Sequence, residues 1–283
     1  MKRVTVIGAG TMGHGIAYVA ALAGCEVRLT DAKPETLPRA IEKIDSLLGR
    51  GLERGKITAE DRTAIRGRLR EEPRLRTAVT TADVIIEAVV EDLGVKQRLF
   101  EEVERHAPRG ALLASNTSSL SIGQIASSLT QPARLIGMHF FNPVHVMKLV
   151  EVVTHGPDSI SAADRAVAFA RELGKEPIVV RDSPGFASSR LGVVLGLEAM
   201  RMLEQDVASA EDIDKAMELG YNHPMGPLKL TDLIGLDVRL AIAEYLYATL
   251  GKPQYEPPKI LQEKVKKGEL GKKTGKGFYT WSD

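Results

Sequence analysis

The chain opens with a β-branched run, RVTVI at residues 3–7, that passes directly into Gly8-Ala9-Gly10-Thr11-Met12-Gly13. HGIAYVAALAG then places apolar residues at helical spacing, with Gly24 as the stop. EVRLT predicts a second strand that ends on Asp31. The alternation breaks at Pro34 and Pro38. AIEKIDSLLGRGLERGKI reads as a helix frayed by Gly49, Gly51 and Gly55, and TAEDRTAIRGRLR as a second, with Thr58 as N-cap and Glu60 and Asp61 in its first turn. TTADVIIEAVVED predicts a buried strand with Glu87 and Glu91 near its end. LGVKQRLFEEVERHA is an amphipathic helix, and ALLASNTSSL a strand that runs into a polar loop. RLIGMHFF, LVEVV and PIVVRD are three more strands, with the helix SAADRAVAFARELG, capped by Ser161, between the last two. This succession predicts an α/β, Rossmann-type doubly wound sheet, mostly parallel, with an antiparallel or mixed region near 140–153.

After Asp182-Ser183-Pro184-Gly185-Phe186 the period becomes helical throughout. SSRLGVVLGLEAMRMLEQ, then SAEDIDKAMELG with Ser209 as cap and Gly220 as stop, then LTDLIGLDVRLAIAEYLYATLG and EPPKILQEKVKKGEL predict an all-α second domain. Two domains follow, 1–183 with a helical-pair insertion at about 34–76, and 184–283. The apolar stretches VVLGLEAM and LAIAEYLY need burial, which a domain of this size can supply internally, and a homodimer interface through the helical domain is expected as well. The tail LGKKTGKGFYTW reads as a docking tail.

Composition narrows the classes. The chain has 283 residues, 43% hydrophobic and 27% charged, as in globular proteins. A formal net charge of +1 gives no field that points to nucleic acid. No apolar run approaches the roughly 18 residues of a membrane span, and MKR leads into a strand, not a signal peptide, so a cytoplasmic location is expected. The single cysteine, Cys25, leaves no disulfide framework and no cysteine zinc cluster.

The candidate chemistry gathers at the strand ends. Gly8 permits a tight turn, Gly10 a close approach of a pyrophosphate, and Gly13 close packing of helix on strand. The helix that follows presents free N–H groups and its positive dipole end to phosphates. Asp31, 18 residues beyond Gly13, stands where an acid would bind the adenosine ribose and repel a 2′-phosphate, which favours NAD. The bland alternative is a glycine turn without a ligand. In such sheets ligands sit beyond the carboxyl ends of the strands, so the Gly8 turn, the Glu91 loop, the SNTSS loop and the His139 loop should converge. His139 and Glu151 flank an Asn-Pro turn and form either an imidazole oriented by an acid or two ordinary structural groups. The 34–76 insertion carries Arg50, Arg54, Lys56, Arg66, Arg68 and Arg70, which are a solvated face or a patch for a phosphate-bearing substrate tail.

Taken in order, GAGTMGHGIA, VIIEAVVED, ASNTSSL, GMHFFNPVHVMKLVEVV, DSPGF, HPMGPLKLTDLIGLD and GKKTGKGFY resemble the 3-hydroxyacyl-CoA dehydrogenase family along nearly the whole chain, most closely its single-function 3-hydroxybutyryl-CoA branch. The resemblance implies a dimeric NAD enzyme, without a metal, that acts on an acyl-CoA. It makes His139 the catalytic base, Glu151 its partner and Ser118 the serine at the reacting oxygen. It sets Gly8, Gly10, Thr11, Met12, Gly13, Asp31, Glu91, Lys96, Asn116 and Asn142 about the cofactor, with Asn142 also near the substrate. Ser46, Arg50 and Arg54 lie in the stretch that holds the nucleotide end of coenzyme A. One position departs: Ser189 stands where the family pattern has an asparagine that helps position the substrate, and a hydroxyl has shorter reach than an amide. Two other functions fit part of this pattern, a dehydrogenase of small hydroxy or sugar acids without coenzyme A and a dinucleotide-sensing protein without catalysis.

Overall fold

The computed structural model describes residues 1–281, so the last two positions of the expected helical domain lie outside the described residues. The chain divides into two compact units, 1–183 and 184–283.

In the first unit, β1 (Arg3–Ile7), α1 (Thr11–Leu22) and β2 (Glu26–Thr30) form the opening βαβ, and Gly24 turns the chain at φ +90°. The insertion holds α2 (Leu37–Glu53) and α3 (Ala59–Gly67), followed by β3 (Leu69–Glu71) and α4 (Leu75–Val79). The α2 helix forms because Leu37, Ala40, Ile41, Ile44, Leu47 and Leu48 recur at a helical period and are all buried. Burial of each large side chain contributes about 1.5–3 kcal/mol, enough to carry the glycines at 49 and 51. Thr58 caps α3 in a capping box with Asp61. Strand β3 and helix α4 were not expected, since three residues of strand are too few to show a period.

The unit continues through β4 (Val84–Glu87), α5 (Leu93–His106), β5 (Leu112–Ser115), the short α6 (Ile122–Ala126), β6 (Leu135–Phe140), β7 (Leu149–Thr154), α7 (Ile160–Glu172) and β8 (Glu176–Arg181). The predicted strand around residue 90 stops earlier, at Glu87, because the chain must turn to reach α5, whose N-cap is Asp92. Helix α7 begins two residues sooner than expected: Ser159, not Ser161, is the N-cap, and Ser161 lies inside the helix. The eight strands form one sheet in the order β3-β2-β1-β4-β5-β6-β7-β8. It is parallel throughout except that β7 runs antiparallel to β6. The order reverses between β1 and β4, and this is the crevice where such sheets bind ligands. The central strands are buried on both faces, as a parallel sheet covered by helices requires.

The second unit holds α8 (Ser188–Glu204), α9 (Ala210–Gly220), α10 (Pro227–Ile234), α11 (Leu236–Leu250) and α12 (Lys259–Lys266). They pack around their own core, which includes Val193, Leu197, Met200, Leu228, Leu236 and Leu246. The stretch expected as one helix from residue 230 is two, broken at Gly235, which has φ +106°. Among the described residues no helix is long and apolar enough to cross a membrane.

Candidate active site

The glycine turn fits the switch point through two close approaches. Gly8 has φ +108°, and a Cβ there would lie 2.4 Å from the Ala88 carbonyl oxygen just past β4. A Cβ on Gly13 would lie 1.7 Å from the Gly8 carbonyl oxygen. Gly10 is different. A Cβ there would meet nothing within 4 Å, and Gly10 caps α1 without a side-chain hydrogen bond. The first N–H groups of α1 therefore open onto space in which a diphosphate fits. The Asp31 carboxylate is fixed on the same rim, accepting from Ala9 N at 2.7 Å and Lys33 N at 2.8 Å. Gly8, Gly10 and Asp31 line a cavity of about 930 Å³, a size that takes a large cofactor. The residues present thus fit a dinucleotide. Thr11 starts α1 and faces a second, smaller cavity, while Met12 packs its side chain against the core.

The histidine and the carboxylate meet through strand register. In the β6–β7 ladder His139 lies directly opposite Glu151. Residues opposite each other in a ladder point to the same face, and His139 Nδ1 lies 2.8 Å from Glu151 Oε2. Glu151 is fully buried and His139 is 8% exposed, with the Phe141 ring 4.4 Å away centroid to centroid. An imidazole that donates Nδ1–H to a carboxylate keeps its lone pair on Nε2.

A second charged group organises the SNTSS loop. Lys96 is buried, with its ammonium 2.5 Å from Glu87 Oε1 and 3.3 Å from Glu91 Oε2. Glu87 also accepts from Ser115 Oγ at 2.6 Å and Val89 N at 2.7 Å. Glu91 Oε1 accepts from Thr117 Oγ1 at 2.5 Å, Ser118 N at 2.9 Å and Ser119 N at 3.2 Å. Burial alone raises the Glu91 carboxyl, but the Thr117 hydroxyl and the Lys96 ammonium outweigh it and hold it below its ordinary value. Ser118 is left exposed at the loop tip. Asn116 Oδ1 accepts from Phe140 N at 2.9 Å and so ties this loop to the strand of His139. Lys96 reaches the loop through Glu91 and is itself 1% exposed. The reading from sequence did not foresee Glu87 as the centre of a buried ion pair. Its signal was an acid inside an otherwise apolar strand, nine positions before a lysine on the following helix.

Ser46, Arg50 and Asn142 line the second cavity, of about 290 Å³. Arg54 is exposed and does not line it. His14, Lys43 and His145, which the sequence did not single out, complete its wall. Ser189 lies in the first turn of α8, in the helical unit.

A site of this kind belongs to an oxidoreductase that works with a nicotinamide dinucleotide. Residues 3–183 match the NAD binding domain of 3-hydroxyacyl-CoA dehydrogenase, and residues 185–281 match its C-terminal domain. The chain belongs to the 3-hydroxyacyl-CoA dehydrogenase family. It is 43% identical over 283 residues to the probable 3-hydroxybutyryl-CoA dehydrogenase of Bacillus subtilis, covering 100% of this chain and 98% of that protein. The crystal structure of Mycobacterium tuberculosis FadB2 superposes with a TM-score of 0.93 at 42% identity, covering 100% of this chain and 99% of the other. That of (S)-3-hydroxybutyryl-CoA dehydrogenase PaaH1 from Ralstonia eutropha gives 0.95 at 37% identity, with 100% of both chains covered.

Proposed function

We propose that the chain interconverts (S)-3-hydroxyacyl-CoA and 3-ketoacyl-CoA with NAD, and that its substrate is 3-hydroxybutyryl-CoA. The observation that carries this reading is the 2.8 Å contact between His139 Nδ1 and Glu151 Oε2 on the carboxyl edge of a sheet whose first turn is built for a dinucleotide. The names of the relatives support the substrate class. In the oxidative direction His139 Nε2 takes the proton from the 3-hydroxyl group. The bound dinucleotide supplies the hydride acceptor. Glu151 fixes the imidazole tautomer and offsets the positive charge that forms on the ring. The Ser118 hydroxyl bonds the reacting oxygen. Lys96 and Glu91 act as positioning residues for that serine, and Asn116 and Asn142 border the cofactor and substrate. Ser46 and Arg50 contact the nucleotide end of coenzyme A, and Ser189 positions the acyl group with a shorter reach than an asparagine would have. A second copy of the chain covers the exposed apolar side chains of the helical unit, among them Leu191, Ile234 and Val238.

General acid–base help contributes roughly 100- to 10,000-fold. His139→Gln is expected to lower kcat for acetoacetyl-CoA reduction by at least about 100-fold with NADH affinity nearly intact. Stopped-flow NADH absorbance measures the first and fluorescence titration the second. Near-normal turnover in this variant would overturn the role of His139, and turnover of free acetoacetate as fast as of acetoacetyl-CoA would overturn the substrate class.

A further inference from the structure

The smaller cavity has a wall whose charge is of one sign. His14 from α1, Lys43 and Arg50 from α2, and His145 from the loop between β6 and β7 face it, and among the described residues no carboxylate does. The acid next to Ser46 in sequence, Asp45, is turned away to Arg66 at 3.2 Å. His14 Nδ1 lies 2.8 Å from the Gly10 carbonyl oxygen, so Nδ1–H donates there and Nε2 is the atom that can take a second proton. His145 is held edge-on by the Tyr18 ring, with centroids 6.2 Å apart. Its loop is anchored from beneath by buried Lys175, whose ammonium donates to the carbonyls of Val144 and Met147. Four cationic or protonatable groups around about 290 Å³ are a receptor for a phosphate group.

We propose that His14 and His145 bind a phosphate of the acyl-CoA substrate in this cavity and take up a proton as it binds. The proposal rests on the acyl-CoA reading given above and extends it. Burial lowers the pKa of both histidines. At His14 the bond to the Gly10 carbonyl opposes this and Lys43 adds to it, and Arg50, Lys175, His14 and Lys56 lower His145 further. Without an anion the neutral form of both rings is thus favoured. A phosphate dianion reverses the balance of charge around them, and a ring that gains a proton on binding makes affinity rise as the pH falls. The cofactor's pyrophosphate has the same chemistry and enters the same region of the chain, so the test must separate the two.

The test is the Michaelis constant of the full-length enzyme against pH from 8 to 6, for acetoacetyl-CoA, for acetoacetyl-pantetheine, which lacks the nucleotide phosphates, and for NADH. The ratio KM(pantetheine thioester)/KM(CoA thioester) is expected to rise by at least about fivefold as the pH falls across that range. In a His14→Gln/His145→Gln variant this rise is expected to shrink to less than twofold. The ratio cancels any pH dependence of the chemical step, which is common to both thioesters. A ratio that is flat in the wild-type enzyme, or one that rises equally in the double variant, overturns the proposal. So does a pH dependence that appears in KM for NADH and not in the ratio, since the cavity would then serve the cofactor. Absence of turnover with either thioester would instead overturn the acyl-CoA reading beneath it.

Discussion

At the scale of single residues, the site depends on charges that are buried and therefore paired. Lys96 joins Glu87 and Glu91, and Glu91 in turn holds the loop of Ser118. Removal of one member leaves a buried charge uncompensated. Lys96→Met is expected to destabilise the protein by about 3–5 kcal/mol, and Lys96→Met/Glu87→Gln by clearly less, measured by urea unfolding. A double variant no more stable than the single one would show that the pair is not what sets the cost. The Glu91 carboxyl is lowered from its ordinary value of 4.5. Its contribution is thus complete above that value and is lost only as the pH falls through the lowered one, so the loop stays ordered through mild acid. Much of this site was legible in the sequence. The glycine turn and Asp31 belong to a pattern that has a mechanism attached to its spacing, whereas His139 and Glu151 were a candidate pair whose roles came from the family resemblance. The positions of Glu87, His14 and His145 were not legible, since they depend on which strands and loops lie side by side, and no local period records that.

At the scale of elements, long amphipathic helices such as α2 and caps such as Thr58 and Ser209 announced themselves. The short pieces β3, α4 and α6 did not, because each is held by neighbours and not by its own period. The break at Gly235 was also hidden, since apolar residues continue across it; what stops the helix is the backbone at φ +106°. Two buried aspartates explain why the tail docks. Asp232 on α10 accepts from Phe278 N and Tyr279 N at 2.9 Å and from the Trp281 indole N–H at 2.8 Å. Asp214 on α9 accepts from Leu228 N and Lys229 N at the start of α10, and from the Tyr279 hydroxyl at 2.7 Å. An asparagine at 232 would set an amide N–H₂ against donors that need an acceptor. Asp232→Asn is expected to cost about 3 kcal/mol and to make the chain after Lys272 and Lys273 sensitive to trypsin. Tryptic digestion followed by mass spectrometry checks this, and unchanged resistance would count against Asp232 as the anchor.

At the scale of the whole molecule, the two units are built differently. The first is a sheet covered by helices, with the candidate site on its carboxyl edge. The second is a helical core whose surface keeps large apolar side chains in water, with Leu191 at 73% and Leu219 at 84% exposure. Large apolar side chains left in water become a cost where they form a patch that no partner covers. If a second copy of the chain does so, Leu191→Glu combined with Ile234→Glu should convert a dimer into a monomer in sedimentation velocity while the far-ultraviolet circular dichroism stays unchanged. A wild-type protein that sediments as a monomer at micromolar concentration would remove the idea.

The change from parallel to antiparallel pairing between β6 and β7 has a consequence for how this protein can vary. The distance between His139 and Glu151 is set by backbone register and not by the loop at 141–148 that joins the two strands. A slip of one residue within either strand would send one partner to the opposite face of the sheet, so the pair is inherited whole or lost whole. The exposed loop side chains, such as Val146 and Met147, carry no such constraint. If the pair has the acid–base role proposed for it, variation at the loop tip leaves the His139–Glu151 geometry in place.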